Sequence, residues 1–474
     1  MRAKALITGF ALLWWATAAF AQWPGSPFAW QNGYGTAQYE SGGYAVRLQG
    51  GYLMVGTHGI PNSTRSALYV VRLNDIGDTL WTRNIMPQRL QWFEPQGIIQ
   101  DGAGNLVVSG SCRGWGATMG DAFVLKMNTQ ADTAWVRTFQ TTGTDSFLGP
   151  TLSTDGNYFV YGWINFQNRV LKVSPTGAVL WNVASNHSSA FLGNNTALLA
   201  VGGGGCWVFS NGPDAQQQRL ETRVHALTGA AGTETAQWLL PRFQYPVTHV
   251  ATLNNEIVVS GSQEMAKLTP QGDTVWTRRF ARSRPGWAWV ARAVQPDALG
   301  DYAVLAEAGG GSPYSYQFQL LRIDSQRGQV RNDTLLLRPT GNTYPKSLLL
   351  APNGDYFISG YTPVGPSGGP DLIAAQFRRF KPLPTRAAQR LAEVLQVYPN
   401  PAGGAAVQVR LPDGLGRGAN LVIIDARGQT ARRQAVPAGQ QLLVLPVAAL
   451  SAGLYVVRLQ AADGRVWGGR LVRE

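Results

Sequence analysis

A unit of 51 residues repeats along residues 28–377, and this period restricts the fold more than any other feature of the chain. Each copy offers a turn, a short apolar strand ending in Gly, a loop, a second apolar strand, another turn and a strand that carries Trp. The first copy reads 50–56, 68–73 and 77–81, the second 104–110, 123–127 and 131–135, and the third 156–162, 170–173 and 177–181. A degenerate fourth runs from 197–202 to Trp238, and the fifth reads 256–261, 266–268 and 272–276. The sixth extends from Asp301 to Leu336, which stands in the Trp place. The seventh has 354–360 and 373–377, and no Trp strand follows it.

The missing strand decides the architecture. Phe28-Ala29-Trp30-Gln31 lies ahead of the first copy, 51 residues before Trp81, and position 336 is six such steps from Trp30. Several strands per unit at this period point to a β-propeller, because one small sheet cannot bury its own apolar face. Seven strand pairs balance seven Trp-type strands only if the Trp30 strand completes the last unit, which also removes the open edges. The expected fold is all-β, a seven-bladed β-propeller over residues 22–380. Asp101-Gly102, Asp155-Gly156 and Asn353-Gly354 fit its hairpin turns. The recurring Trp is expected to pack between units, with ligand stacking as the other use for such a ring.

Both ends of the chain read as addresses. Arg2 and Lys4 precede an apolar segment, 5–20, that ends in Ala19-Phe20-Ala21 before Gln22. A basic start, a short apolar run and an A-x-A site make a secretory signal peptide over 1–21, cut between Ala21 and Gln22. Two Cys and four His exclude a disulfide framework or a zinc ribbon. The net charge of +13 is unevenly placed: residues 398–474 hold nine Arg against four acids, and 378–397 five cations against Glu393. Residues 22–377 keep only +2, so the body has no basic footprint for nucleic acid.

After a linker, 381–397, Tyr398-Pro399-Asn400-Pro401 opens a stretch of short strands at 407–411, 420–425, 442–447, 454–459 and 466–472. This alternation predicts a small immunoglobulin-like β-sandwich over 398–474. The segment resembles the type A C-terminal sorting domain of the type IX secretion system. The resemblance rests on Tyr398-Pro399-Asn400-Pro401, Asp425-x-x-Gly428, Leu450-x-x-Gly453-x-Tyr455, Arg458-Leu459, Gly464 and the closing Arg470-Leu471-Val472. It implies export by the Sec machinery and passage of the outer membrane through the type IX translocon. It also implies removal of the tail by a sortase, followed by release or attachment to surface lipopolysaccharide. The body is similar to bacterial propeller repeats of the quinoprotein-like and delta-60-like kinds, through its G-x-x-x-W ending and its D/N-G-x-hydrophobic-G core. Quinoprotein dehydrogenases carry an adjacent Cys pair and usually eight blades. This chain has neither, so no cofactor is carried over.

Chemistry in the body is thin. His58, His187, His225 and His249 show no metal-ligand spacing. Gly202-Gly203-Gly204-Gly205 reads as a turn, since no helix pattern follows it. Glu94, Glu256, Glu264 and Glu307 are the carboxylates outside turns, and no sequence argument pairs them. Two functions fit. One is a non-catalytic surface module for an extracellular glycan, protein or matrix; the other is a secreted hydrolase or lyase acting on polysaccharide. Four Trp strands begin Asp-Thr-aliphatic, at Thr79, Thr133, Thr274 and Thr334. Asp can close the turn there and Thr favours the strand. The tripeptide also resembles the O-glycosylation signal of periplasmic proteins in bacteria with this secretion system, so one or more of those four threonines is an expected acceptor.

Overall fold

The computed structural model describes residues 28–87, 90–114, 120–165, 167–184, 196–213, 220–240, 243, 247–280, 287–297, 299–310, 315–336, 342–365, 367, 369–379, 395–412, 415, 419–425, 429–461 and 466–474. The expected signal peptide with Ala21 and Gln22, His187, Gly428, Gly464 and most of the expected linker lie outside them. The chain divides into two compact units, Met1–Phe380 and Lys381–Glu474. No helix among the described residues is long and apolar enough to cross a membrane.

The first unit is all-β and propeller-like, with seven antiparallel sheets among the described residues. Sheet 1 comprises Glu40–Leu48, Gly51–Gly59, Ser66–Leu73 and Thr79–Ile85, and sheet 2 comprises Leu90–Gln100, Leu106–Gly114, Asp121–Met127 and Thr133–Phe139. Sheet 3 has a split first strand, Ser146–Phe147 with Thr151–Leu152, then Tyr158–Ile164, Gln167–Val173 and Val179–Ala184. Sheet 4 holds Thr196–Ala200, Cys206–Pro213, Leu220–Leu227 and Glu234–Leu239, and sheet 5 holds Val247–Leu253, Glu256–Gly261, Glu264–Leu268 and Thr274–Arg279. Sheet 6 is built from Trp287–Pro296, Tyr302–Gly310, Ser315–Ile323 and Val330–Leu336. In sheet 7, Tyr344–Leu350, Tyr356–Thr362 and Asp371–Phe377 are completed by Phe28–Tyr34 from the other end of the chain. Trp30 faces Gln376 and Tyr34 faces Leu372 across that last ladder. Each sheet packs on the next, and sheet 7 packs back on sheet 1.

A fourth strand per unit was not visible in the repeat. It comes first in each sheet, and these first strands pack against one another, so they form the inner layer. This changes the reading of the fourth copy. Residues 197–200 belong to the first strand of sheet 4, Gly202 begins the turn after it, and the strand matching 50–56 is Cys206–Pro213. Cys206 therefore opens that second strand. Cys112 holds the corresponding strand of sheet 2, and both thiols are free and buried. Burial pushes each up to about 12.

The two recurring glycines of the repeat each have a steric cause. The Gly that closes the second strand lies under the first strand of its own sheet. A Cβ on Gly110 would stand 2.1 Å from Glu94 O, and one on Gly360 2.1 Å from Tyr344 O. The Gly of G-x-x-x-W lies instead under the Trp of the preceding sheet. A Cβ would meet Trp30 at 2.6 Å from Gly77, Trp135 at 3.0 Å from Gly177, and Trp181 at 2.8 Å from Gly232. Gly272 under Trp238 and Gly328 under Trp276 repeat the contact at 3.0 and 2.8 Å. All five glycines have positive φ, a conformation that costs any other residue.

A polar clasp accompanies three of the rings. Trp135 Nε1 (3.1 Å) and Lys126 Nζ (3.3 Å) both donate to Pro175 O of the next sheet. Trp181 Nε1 (3.0 Å) and Lys172 Nζ (2.9 Å) converge in the same way on Gly229 O, and Trp276 Nε1 (3.2 Å) and Lys267 Nζ (3.1 Å) on Ser325 O. The buried ammoniums are balanced by Asp101 at 2.9 Å, Asp155 at 2.5 Å and Glu256 at 2.5 Å. Burial alone would raise the Asp101 carboxyl, but hydrogen bonds from Lys126 and Tyr158 outweigh it and hold the group down to about 2. Each ion pair lies within one sheet and fixes its lysine, and the lysine and Trp hydrogen bonds to the shared carbonyl are what reach the next sheet.

Sheet 2 departs from the rule, because Ala131 takes the glycine place at φ 66°. Replacing it with Gly should relieve the backbone and stabilise the protein by about 0.5–1 kcal/mol. Gly77→Ala should act in the opposite sense and destabilise by about 2–4 kcal/mol, since strain at positive φ adds to a clash with the Trp30 ring. Urea midpoints of the two variants check both signs, and equal midpoints would remove the steric account.

The second unit has two sheets. Gln396–Tyr398, Ala406–Arg410 and Leu442–Pro446 form one; Thr430–Val436, Ala419–Asp425, Gly453–Ala461 and Val466–Arg473 form the other. Strict alternation sends Val407, Val409, Leu443, Leu445, Leu421, Ile423, Val457, Leu459 and Leu471 into one shared core.

Candidate functional site

The inner strands are not regular. Their pairing slips by one residue at Gly43 in sheet 1, Gln96 in sheet 2, Thr248 in sheet 5, Arg292 in sheet 6 and Lys346 in sheet 7. A bulge leaves one residue unpaired and re-aims its side chain. Sheets 6, 7 and 1 thereby gather a group of half-buried polar side chains. Lys346 Nζ lies 5.2 Å from the centre of the Tyr44 ring and 5.8 Å from that of Tyr361. Tyr361 stacks on Tyr344 at 4.8 Å and 18°, and Tyr44 donates its hydroxyl to Gln96 Oε1 at 3.0 Å. Arg292 Nη2 meets Glu307 Oε2 at 2.8 Å. Burial raises the Tyr361 hydroxyl pKa, and the neighbouring tyrosines and Glu307 push the same way. The group is a set of flat phenol faces around one ammonium, with a neutralised ion pair beside it.

The residues singled out from the sequence are scattered by comparison. His58 pairs with buried Glu40 at 2.7 Å in sheet 1, and His225 faces Glu234 at 3.5 Å in sheet 4. His249 lies in sheet 5, where burial holds its imidazole down to about 4. Among the described residues no three His, Cys, Asp or Glu side chains gather as a metal site would require. Glu94 belongs to sheet 2, Glu256 and Glu264 to sheet 5 and Glu307 to sheet 6. Glu256 is committed to Lys267 and to the Tyr302 hydroxyl at 2.9 Å, and Glu307 to Arg292. Gly202–Gly204 forms a short 3-10 turn.

Thr79, Thr133 and Thr274 are exposed at the start of outer strands; the Thr334 side chain lies outside the described set. The preceding aspartates close their turns, as Asn74 Nδ2 donates to Asp78 at 3.0 Å and Asn128 Nδ2 to Asp132 at 2.9 Å. Thr133 also borders an open cleft lined by Arg83, Met86, Pro87 and Asp132.

In the tail, several motif residues converge on the last strand. Asn400 Nδ2 donates to Arg470 O at 2.6 Å, and Val472 N donates back to Asn400 Oδ1 at 2.8 Å. Tyr455 pairs with Leu471 on one side and Asp425 on the other, and its hydroxyl donates to Ser451 O at 2.8 Å. Gly453 opens that strand at φ 155°, opposite Arg473. Tyr398, Pro399 and Pro401 flank Asn400, with Tyr398 43% exposed on the short edge strand.

Residues 396–472 match the family described as the secretion system C-terminal sorting domain. The chain thus carries a type IX sorting tail and is delivered to the cell surface or the extracellular space. No curated protein matches the chain. Among solved structures, a protein of unknown function from Bacteroides caccae is 15% identical, covering 60% of this chain and 93% of its own at a TM-score of 0.39. PorZ, a surface component of the type IX secretion system of Porphyromonas gingivalis, is 11% identical, with 90% of this chain and 69% of its own covered at 0.37. The Neurospora crassa Pan2 WD40 domain is 12% identical, covering 72% and 92% at 0.41.

Proposed function

We propose that the chain is a secreted seven-bladed β-propeller with an immunoglobulin-like sorting tail, whose ring is a non-catalytic binding module for extracellular glycan, protein or matrix. The observation that carries this reading is the cluster at the inner bulges: flat tyrosine faces around a cation, in a setting where Glu307 is neutralised. Such a surface can hold a ligand, but it offers no free pair of carboxylates to protonate and attack a glycosidic bond. Domain limits at 21, 380 and 397 rest on the signal-peptide pattern, the repeat and the tail. The Sec machinery would carry the chain across the inner membrane, and the type IX translocon and sortase would act on the tail, with lipopolysaccharide as the anchor where the chain is retained.

The full chain incubated with a set of soluble polysaccharides should be retarded in affinity electrophoresis without releasing new reducing or unsaturated ends. Product release would favour the hydrolase or lyase reading.

The rim threonines complete the proposal. Thr79, Thr133 and Thr274 are exposed where an export-compartment enzyme could reach them, and Thr334 shares their tripeptide. A sugar there would add bulk and solvation at the outer edge without touching the inner cluster. Peptide mapping of protein from a host with the type IX machinery should show a hexose-containing mass on at least one of the four. Four unmodified threonines would leave Asp-Thr with its turn-closing role alone.

A further inference from the structure

We infer that the inner cluster recognises an acidic polysaccharide, with the Lys346 ammonium taking the anionic group and the Tyr44 ring taking the sugar face, while Tyr361 stays stacked on Tyr344; this rests on the binding-module reading of the same site. Among the described residues Lys346 has neither an ion-pair partner nor a hydrogen-bond acceptor, whereas Arg292 is held by Glu307 at 2.8 Å. The two phenol rings, 5.2 and 5.8 Å away, steady the ammonium through their faces while leaving its three N–H donors unused. A pyranose has an apolar C–H face that rests on an aromatic ring and hydroxyls that bond to phenol oxygens. A neutral sugar would leave the ammonium unanswered. A sugar ring bearing a carboxylate or a sulfate satisfies the Tyr44 ring and the cation together. Gln96, at the bulge of sheet 2, accepts the Tyr44 hydroxyl at 3.0 Å and so fixes that ring beside the cation.

The test is affinity electrophoresis of the full chain in gels containing alginate, dextran sulfate or dextran, with polyglutamate as a soluble competitor. Alginate, dextran sulfate or both should retard the protein, and dextran should not. Which of the two does so separates a carboxylate from a sulfate. Arginines of the tail add a background shared by all variants, so the readout is the ratio to the parent chain. Lys346→Met should weaken retardation about tenfold, the scale of one charged hydrogen bond, at an unchanged melting temperature. Glu307→Gln frees Arg292 and should tighten it, which keeps the proposal testable even if the lysine variant folds poorly. Dextran binding equal to alginate, or both variants matching the parent, would overturn the acidic-sugar assignment and leave the binding reading standing. Competition by polyglutamate as strong as by free alginate would move the ligand to acidic proteins. No retardation on any polysaccharide would overturn the acidic-sugar assignment and the glycan reading with it.

Discussion

A chain lacking residues 28–34 is expected to lose cooperative folding of its first unit. That strand is the outer member of sheet 7 and pairs from Phe28 to Tyr34 against Asp371–Phe377. It also binds the first sheet: the Trp30 ring covers Gly77, while Tyr34 Oη (2.7 Å) and Asn32 Nδ2 (3.2 Å) donate to Gly77 O. Truncating Trp30 to Ala alone should cost about 2–4 kcal/mol, because the ring is half-buried. Removing the whole strand adds a lost ladder and an open edge, and should exceed about 5 kcal/mol, a loss comparable with the entire stability of many domains. Calorimetry of the full-length and shortened chains measures this directly. A shortened chain that melts as a single transition at the parent temperature would show that closure contributes nothing.

The second large effect concerns delivery. A chain ending at Ala461 lacks Val466–Arg473, and with it the partner strand of Gly453–Ala461. Asn400 loses both hydrogen bonds to the last strand, and the core loses Trp467 and Leu471. In a host with the type IX machinery, surface signal from this chain should fall to the level of one with no tail, and the protein should collect in the periplasm. Asn400→Ala should fall between the two, since it removes two hydrogen bonds worth together about 1–3 kcal/mol and keeps the strand. Undiminished surface delivery of the shortened chain would mean that the sorting signal does not require the last strand.

Much of this architecture can be read from residues alone, and what escapes does so for identifiable reasons. The Trp strands, the Gly-ended strands and the return of Phe28–Tyr34 to the last sheet follow from the period. The inner strands do not, because their bulges at Gln96, Thr248, Arg292 and Lys346 interrupt the two-residue alternation that marks a strand. The residue pattern therefore marks neither the inner strands nor the cluster they help to form. A signal was present: Gln96, Arg292 and Lys346 each stand 14 residues before the close-packed Gly110, Ala306 and Gly360. In the tail, Thr430–Val436 was missed because Arg432 and Arg433 interrupt its apolar character, and as an edge strand it needs little. The carboxylate candidates show the limit of reading residue types. Glu256 looks available in the sequence, yet in the structure it balances a lysine between two sheets.

The order of strands in sheet 7 bears on what cutting the chain can do. Asp371–Phe377, the last strand of the first unit, lies inside its sheet, flanked by Tyr356–Thr362 and by Phe28–Tyr34. The position that would fray on proteolysis is thus held by Phe28–Tyr34, more than 330 residues away along the chain. A protease that severs the chain beyond Phe377 removes an address label from a body whose seam is already sewn. The same cut in a ring closed by its own C-terminal strand would expose a bare β-edge outside the cell, beyond the reach of cytoplasmic chaperones.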